Sequence, residues 1–197
     1  MTFRAPPLPT DNRAALTERL IETGGTDTQR WAQMENLATQ WDARAEMAAK
    51  LIAPASRVLD IGAGAMALRG FLPPDCRYSP ADVVERCPGC FVTDLNAGDF
   101  PPGEYDYVTF LGVLEYVHDV KQVLRKAAAA APAMIVTYCT VTMADQQRRR
   151  GMGWVNDFSA AEFEAMLADS GWQIQGRQEV KRGPANIQYM YSCIRHA

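Results

Sequence analysis

The chain has 197 residues, 48% of them hydrophobic and 22% charged, with a formal net charge of −3. That suits one domain, 1–197, with a full core, and the acidic balance excludes the basic footprint of a nucleic-acid binder. No apolar run approaches the ~20 residues that cross a bilayer, and the start lacks a secretory core, so no membrane partner and a cytoplasmic location are expected.

Residues 1–10, rich in proline, read as a disordered arm; N-terminal helices follow over 11–53 and an α/β core over 57–197. A first helix over 11–23 places Leu16, Leu20 and Ile21 on one face and stops at Gly24-Gly25. Thr26 is placed to cap the next helix, with Gln29 at its third position. Trp31, Met34, Ala38, Trp41, Ala45, Ala48 and Ile52 then recur at the spacing of one helical face, up to Pro54. The tryptophans read as core, or else Trp41 or Arg44 closes over a ligand pocket from the N-terminal side.

From residue 57 the pattern changes to strands: 57–61, 77–82, 91–94, the mostly apolar 105–111, and 134–139. A short helix is predicted over 66–72. Another follows Asp119 as cap, with Val120, Val123, Leu124, Ala127 and Ala131 inward and Pro132 as the stop. Ser159-Ala160-Ala161-Glu162 is a capping box, with Phe158 and Phe163 placed as a staple and Gly171 at the helix end. Strands over 172–180 and 187–195 then form an antiparallel hairpin around Gly183-Pro184. Alternating strands and helices imply a doubly wound, Rossmann-like sheet of seven strands, mostly parallel with a reversed last strand. The connections 83–90 and 95–104 contain Pro and Gly and hold no good helix, so one face is thinly covered there.

The five cysteines are scattered and odd in number, which is not a disulfide framework. Cys87-Pro88-Gly89-Cys90 reads as a turn, with a redox or metal role as the alternative; no second ligand pair accompanies it, and no metal site is expected.

The segment 57–65 ends an apolar strand in Asp60 and breaks into Gly62-Ala63-Gly64. An acid at the sheet's rim and a turn that lets a ligand approach the backbone mark a cofactor site. Gly62 to Ala67 also satisfies the dinucleotide pattern G-x-G-x-x-G/A, and Asp82 is placed to bind a ribose in either reading.

As a set, these segments resemble the class I S-adenosylmethionine-dependent methyltransferases, of the small bacterial type, from about Trp31 to the C-terminus. Residues 58–64 look like the first motif of that family, with Met66 where its third glycine is common. The resemblance implies that Asp82 binds the ribose hydroxyls, Val83 lies beside the adenine, and Asp94 and Leu95 contact the adenine amino group. It implies that Leu111 and Gly112, in the stretch 110–119, line the methionine side. The cofactor implied is S-adenosylmethionine.

On the acceptor side, His118, just past the fourth strand, is a candidate base. Tyr116 and Tyr138 are candidates for lining the acceptor pocket. Residues 140–157 form a long connection in which Arg149 and Trp154 are candidates to hold and cover an anionic acceptor, with a solvated charge run and a tucked tryptophan as the alternative. The function expected is methyl transfer to a small molecule or glycan precursor. A cofactor-binding regulatory protein without transfer, and a nicotinamide-dependent oxidoreductase, are the alternatives.

Overall fold

The structure is a computed structural model that describes residues 10–37, 42–141, 146–182 and 186–196. The predicted arm, apart from Thr10, lies outside the described residues, as do Ala38, Trp41 and the Gly183-Pro184 turn.

Six helices are described: α1 (Thr10–Thr23), α2 (Thr28–Ala32), α3 (Asp42–Ala49), α4 (Val120–Ala130), α5 (Gln146–Met152) and α6 (Ala160–Asp169). The strands are β1 (Arg57–Ile61), β2 (Arg77–Asp82), β3 (Phe91–Val92), β4 (Tyr107–Leu111), β5 (Ala133–Val141), β6 (Trp172–Arg182) and β7 (Asn186–Arg195). They form one sheet in the order β3-β2-β1-β4-β5-β7-β6. β1 pairs in parallel with β2 and β4, β2 with β3, and β4 with β5, whereas β7 runs antiparallel to β5 and β6. This is the expected mostly parallel Rossmann-like sheet with its reversed strand.

The period-two alternation of the strands sorts two cores onto the two faces. Leu59, Ile61, Val108, Phe110 and Val136 face α4 and α6, where Leu124, Phe163, Leu167 and Trp172 complete the larger core. Val58, Ile135 and Met190 face the other way, onto Ala45, Ala48 and Ile52 of α3 and the segment beyond it. The caps of the larger layer are as read from sequence. Asp119 accepts from Gln122 N at the start of α4. Ser159 and Glu162 close a capping box on α6, with Gly171 just beyond its end at φ +89°. Phe158 and Phe163 both pack on the Tyr138 ring.

Four expectations change. The single helix from Thr26 to Pro54 is instead α2, a 3₁₀ turn (Met34–Asn36) and α3. Asp27, not Thr26, caps α2, because the Thr26 hydroxyl is bonded to Asp94. The helix at 66–72 shrinks to a 3₁₀ turn, Ala67–Gly70, cut by Gly70 and the Pro73-Pro74 pair behind it. The third strand keeps only Phe91–Val92, since Asp94 turns to cap the next 3₁₀ turn, Leu95–Ala97.

Met66 sits in the left-handed region at φ 57°, ψ 34°. Side chains with a Cβ cost ~1–2 kcal/mol there, which glycine avoids at a smaller entropic cost. Met66→Gly is therefore expected to raise the unfolding free energy by roughly 1 kcal/mol in urea titration. A lower midpoint would show that packing of the Met66 side chain outweighs the relief.

Candidate functional site

Between β1 and β4 the strand order switches direction, and open α/β sheets bind ligands outside the strand ends at such a point. There the described residues enclose a cleft of about 1030 Å³, counted out to its open mouth. Its floor is the β1 turn, Gly62 to Ala65, with Leu111, Gly112 and Val113 on one side and Asp82, Val83 and Arg86 on the other. Gly62 N and Ala63 N both donate to Ala81 O, at 2.8 and 3.1 Å, which pins the turn to β2. Gly62 has φ +72°, and a Cβ there would overlap Val113. Val113 thus fills the space beside Gly62, and that close approach together with the positive φ is what requires glycine there.

Asp60 is buried on the α3 face of β1, 3% exposed. Tyr78 Oη donates to its Oδ2 and Thr109 Oγ1 to its Oδ1, each at 2.6 Å. Burial outweighs these two bonds and lifts its pKa to about 6. The folded state therefore holds this proton where the unfolded chain, with a carboxyl near ~3.9, has lost it. Between pH of about 4 and 6 Asp60 makes stability fall as pH rises, by a total on the order of 2–3 kcal/mol. Asp60→Asn is expected to remove that component, so that the stability difference, variant minus wild type, climbs across this range. A difference flat with pH would exclude a raised pKa.

Arg44 of α3 reaches the same end of the sheet. Its guanidinium lies where a Cβ on Gly112 would come within 2.5 Å, and Gly112 has φ +77°. Burial lowers the Arg44 pKa, with Glu115 and Asp60 among the negative groups that oppose the shift. The cleft is thus lined by Arg44, set against Gly112 just past β4, and by Asp60 near the end of β1.

Asp82, at the end of β2, is 6% exposed. Its Oδ2 accepts from Gly64 N at 2.8 Å and its Oδ1 from Arg86 Nη2 at 3.1 Å. The same Arg86 nitrogen donates to Trp31 O at 2.7 Å, tying α2 to the cleft. Beyond β3, Asp94 Oδ1 accepts from Thr26 Oγ1 at 2.7 Å and from Asn96 N at 3.0 Å. Asn96 Nδ2 reaches Thr26 Oγ1 and Tyr116 O, so the N-terminal segment, the β3 turn and the β4 turn share one hydrogen-bond network.

The ten residues read from sequence as a cofactor site, Asp60, Gly62, Ala63, Gly64, Asp82, Val83, Asp94, Leu95, Leu111 and Gly112, all line this cleft. The acceptor residues divide. Tyr116 lines the cleft, and its ring meets that of Trp31 edge to face at 4.9 Å. Burial raises the Tyr116 pKa, so its hydroxyl keeps its proton.

His118 does not line the cleft: its Nε2 lies 2.9 Å from Gly25 O and its backbone N–H is held by Asn96 Oδ1. This corrects the expectation of a base at that position. Tyr138 is fully buried and accepts from Phe158 N while donating to Asn156 Oδ1. Arg149, 3% exposed, is spent on Asp157, Cys139 O and Asn156 O, with its guanidinium 4.7 Å from the centre of the Trp154 ring. Trp154 turns inward and donates from Nε1 to Tyr116 Oη at 3.2 Å. Neither Arg149 nor Trp154 is an exposed clamp for an anion: the arginine has found a carboxylate eight residues along the chain.

Sequence reading missed Arg86, Thr26 and Asn96. Arg86 carried a weak signal, a cation four residues past Asp82, but Thr26 and Asn96 are joined only by the fold. Among the described residues no group of His, Cys, Asp and Glu is arranged to hold a metal ion, and no helix is long and apolar enough to cross a membrane.

A family model described as "Methyltransferase domain" matches residues 30–175. No curated protein matches the chain by sequence. Among solved structures, the mitomycin 7-O-methyltransferase is 18% identical, covering 95% of this chain and 69% of its own, at a TM-score of 0.66. The 1,6-didemethyltoxoflavin-N1-methyltransferase of Burkholderia thailandensis, crystallised with 1,6-didemethyltoxoflavin and S-adenosylhomocysteine, is 19% identical over 99% of this chain and 93% of its own, at 0.61. The magnesium protoporphyrin IX methyltransferase of Synechocystis PCC 6803, with bound S-adenosylhomocysteine, is 16% identical over 94% and 100%, also at 0.61. At these identities the likeness is one of fold.

Proposed function

We infer from the cleft of this chain, which belongs to the methyltransferase domain family, that it binds S-adenosylmethionine and passes a methyl group to a small-molecule acceptor. The observation that carries this reading is Asp82 at the end of β2, its carboxylate fixed by Gly64 N–H of the glycine turn. A carboxylate has about four acceptor sites, and two are taken, leaving one on each oxygen for the two hydroxyls of a ribose.

The rest of the cleft suits the same ligand. Val83 and Leu95 offer apolar walls for the adenine, with Asp94 at its edge. Leu111 and Gly112 border the methionine end, where Arg44 is placed for a carboxylate and Asp60 for the positive amino and sulfonium groups.

The bound cofactor supplies an activated methyl carbon for an in-line displacement. The chain's own work is to hold acceptor and methyl in line and keep water out, a contribution of up to ~7–11 kcal/mol. Of the candidate bases, His118 is held by Gly25 O outside the cleft lining and Tyr116 stays protonated. This supports an acceptor atom that is nucleophilic without help. Trp31 and Tyr116 wall the open side, which supports a small acceptor with a flat or apolar part and gives a glycan precursor or an anion less to bind.

Calorimetry with S-adenosylmethionine and S-adenosylhomocysteine tests the reading. Micromolar binding of both is expected, and a flat isotherm with folded protein removes it. Binding without labelled-methyl transfer to any acceptor in a broad small-molecule panel would favour a regulatory protein instead. Tighter binding of NAD would favour an oxidoreductase.

A further inference from the structure

We propose that Cys87 and Cys90 form a thiol–disulfide exchange site, a dithiol that small-molecule disulfides close into an intramolecular bond across one turn. Cys90 N donates to Cys87 O at 3.0 Å, which makes 87–90 a hydrogen-bonded four-residue turn. Pro88 and Gly89 occupy its centre, and Gly89 has φ +85°, the conformation a type II turn requires at that position. Such a turn brings its first and last Cα atoms within ~7 Å, and disulfides span Cα separations of ~4.4–6.8 Å. The backbone is thus already near the geometry of the closed form.

Both thiols are free, and both are partly exposed, whereas Cys139 and Cys193 are buried. The residue preceding Cys87, Arg86, is the one that holds Asp82, so the dithiol stands at the rim of the cleft.

With oxidised glutathione as the oxidant, the step is an exchange in two stages. One cysteine thiolate attacks a glutathione sulfur, forming a mixed disulfide and releasing one reduced glutathione. The second thiolate then attacks the protein sulfur of that bond and releases the second glutathione. The protein loses two protons and two electrons, and the glutathione disulfide gains them.

The test exposes the purified full chain to oxidised glutathione, blocks remaining thiols by alkylation, and reads peptides by mass spectrometry. The expected result is the loss of two hydrogens from the peptide carrying Cys87 and Cys90, with no glutathione attached, reversed by dithiothreitol. Cys87→Ser and Cys90→Ser, on an exposed turn, are each expected to trap one glutathione on the remaining thiol. Glutathione attached to Cys87 or Cys90 in the wild type, or an unreacted pair while Cys76 is modified, overturns the proposal. The readout needs neither cofactor nor turnover, so its outcome is independent of the methyl-transfer reading.

Discussion

Replacing Asp82 with alanine is expected to weaken S-adenosylmethionine binding by about 100-fold or more, the largest single effect on the cofactor. Hydrogen bonds to a charged acceptor contribute ~1.5–3 kcal/mol each, and a ribose diol makes two. Their loss is worth at least about 3 kcal/mol, and each 1.4 kcal/mol is tenfold in affinity. The variant has a second consequence. Arg86 is 4% exposed, and its Nε has no hydrogen-bond partner, so removing Asp82 leaves a buried guanidinium with Trp31 O and the weak acceptor Met34 Sδ. Asp82→Asn separates the two effects: it keeps one oxygen for Gly64 N–H and loses the charge. Calorimetry paired with a thermal melt is the measurement. If both variants stay folded and bind within a few-fold of wild type, Asp82 does not hold the ribose.

Which parts of the molecule were legible from sequence follows from how far apart the interacting residues lie. The end of β1 was readable because its short, mostly apolar run breaks at a turn-forming residue, Gly62 after Ile61. The α6 capping box was readable because its two partners are three residues apart. The long N-terminal helix was not, because the periodic pattern counted Met34 as inward and it is 60% exposed. Trp31 fitted the pattern as well, yet its ring packs on Tyr116 and under Arg30. In the site, the strand-end residues were legible because parallel strands bring their carboxyl ends to one rim. His118 shared that address but faces Gly25 O, a contact across 93 residues that no local rule contains. The run Arg148-Arg149-Arg150 has the look of a solvated charge run. Its last two members are buried because Asp157 comes back beneath them.

That return makes Asp157→Ala the substitution with the largest expected cost to stability. Asp157 Oδ1 accepts from Arg149 Nε at 2.7 Å and from Arg150 Nη1 at 3.1 Å, and its Oδ2 accepts from Arg150 Nη2 at 2.5 Å. The two arginine side chains are 4% and 9% exposed, and the carboxylate 19%. Removing one partner of a buried ion pair costs ~3–5 kcal/mol because the remaining charge is left unpaired. The partial exposure of Asp157, and Glu18 Oε1 at 3.4 Å as a second carboxylate for Arg150, argue for the lower end, about 3 kcal/mol, still a large share of the ~5–15 kcal/mol that holds a domain folded. At ~2–4 °C per kcal/mol for a chain of this size, the melting temperature should drop by roughly 10 °C.

The loss should reach the cleft. The same segment anchors the β4 turn: Asn156 Nδ2 donates to Leu114 O and Val117 O, Val155 N to Glu115 O, and Trp154 Nε1 to Tyr116 Oη. Loosening it frees the wall that carries Tyr116, so cofactor affinity should fall a few-fold, far less than for Asp82→Ala. Replacing Arg150 with methionine in the Asp157→Ala background removes a buried charge whose one remaining carboxylate is Glu18, at 3.4 Å, and should recover part of the lost stability. If the double variant is less stable than Asp157→Ala alone, the arginines are held by their carbonyl contacts to Cys139, Asn156 and Trp154 rather than by the carboxylate.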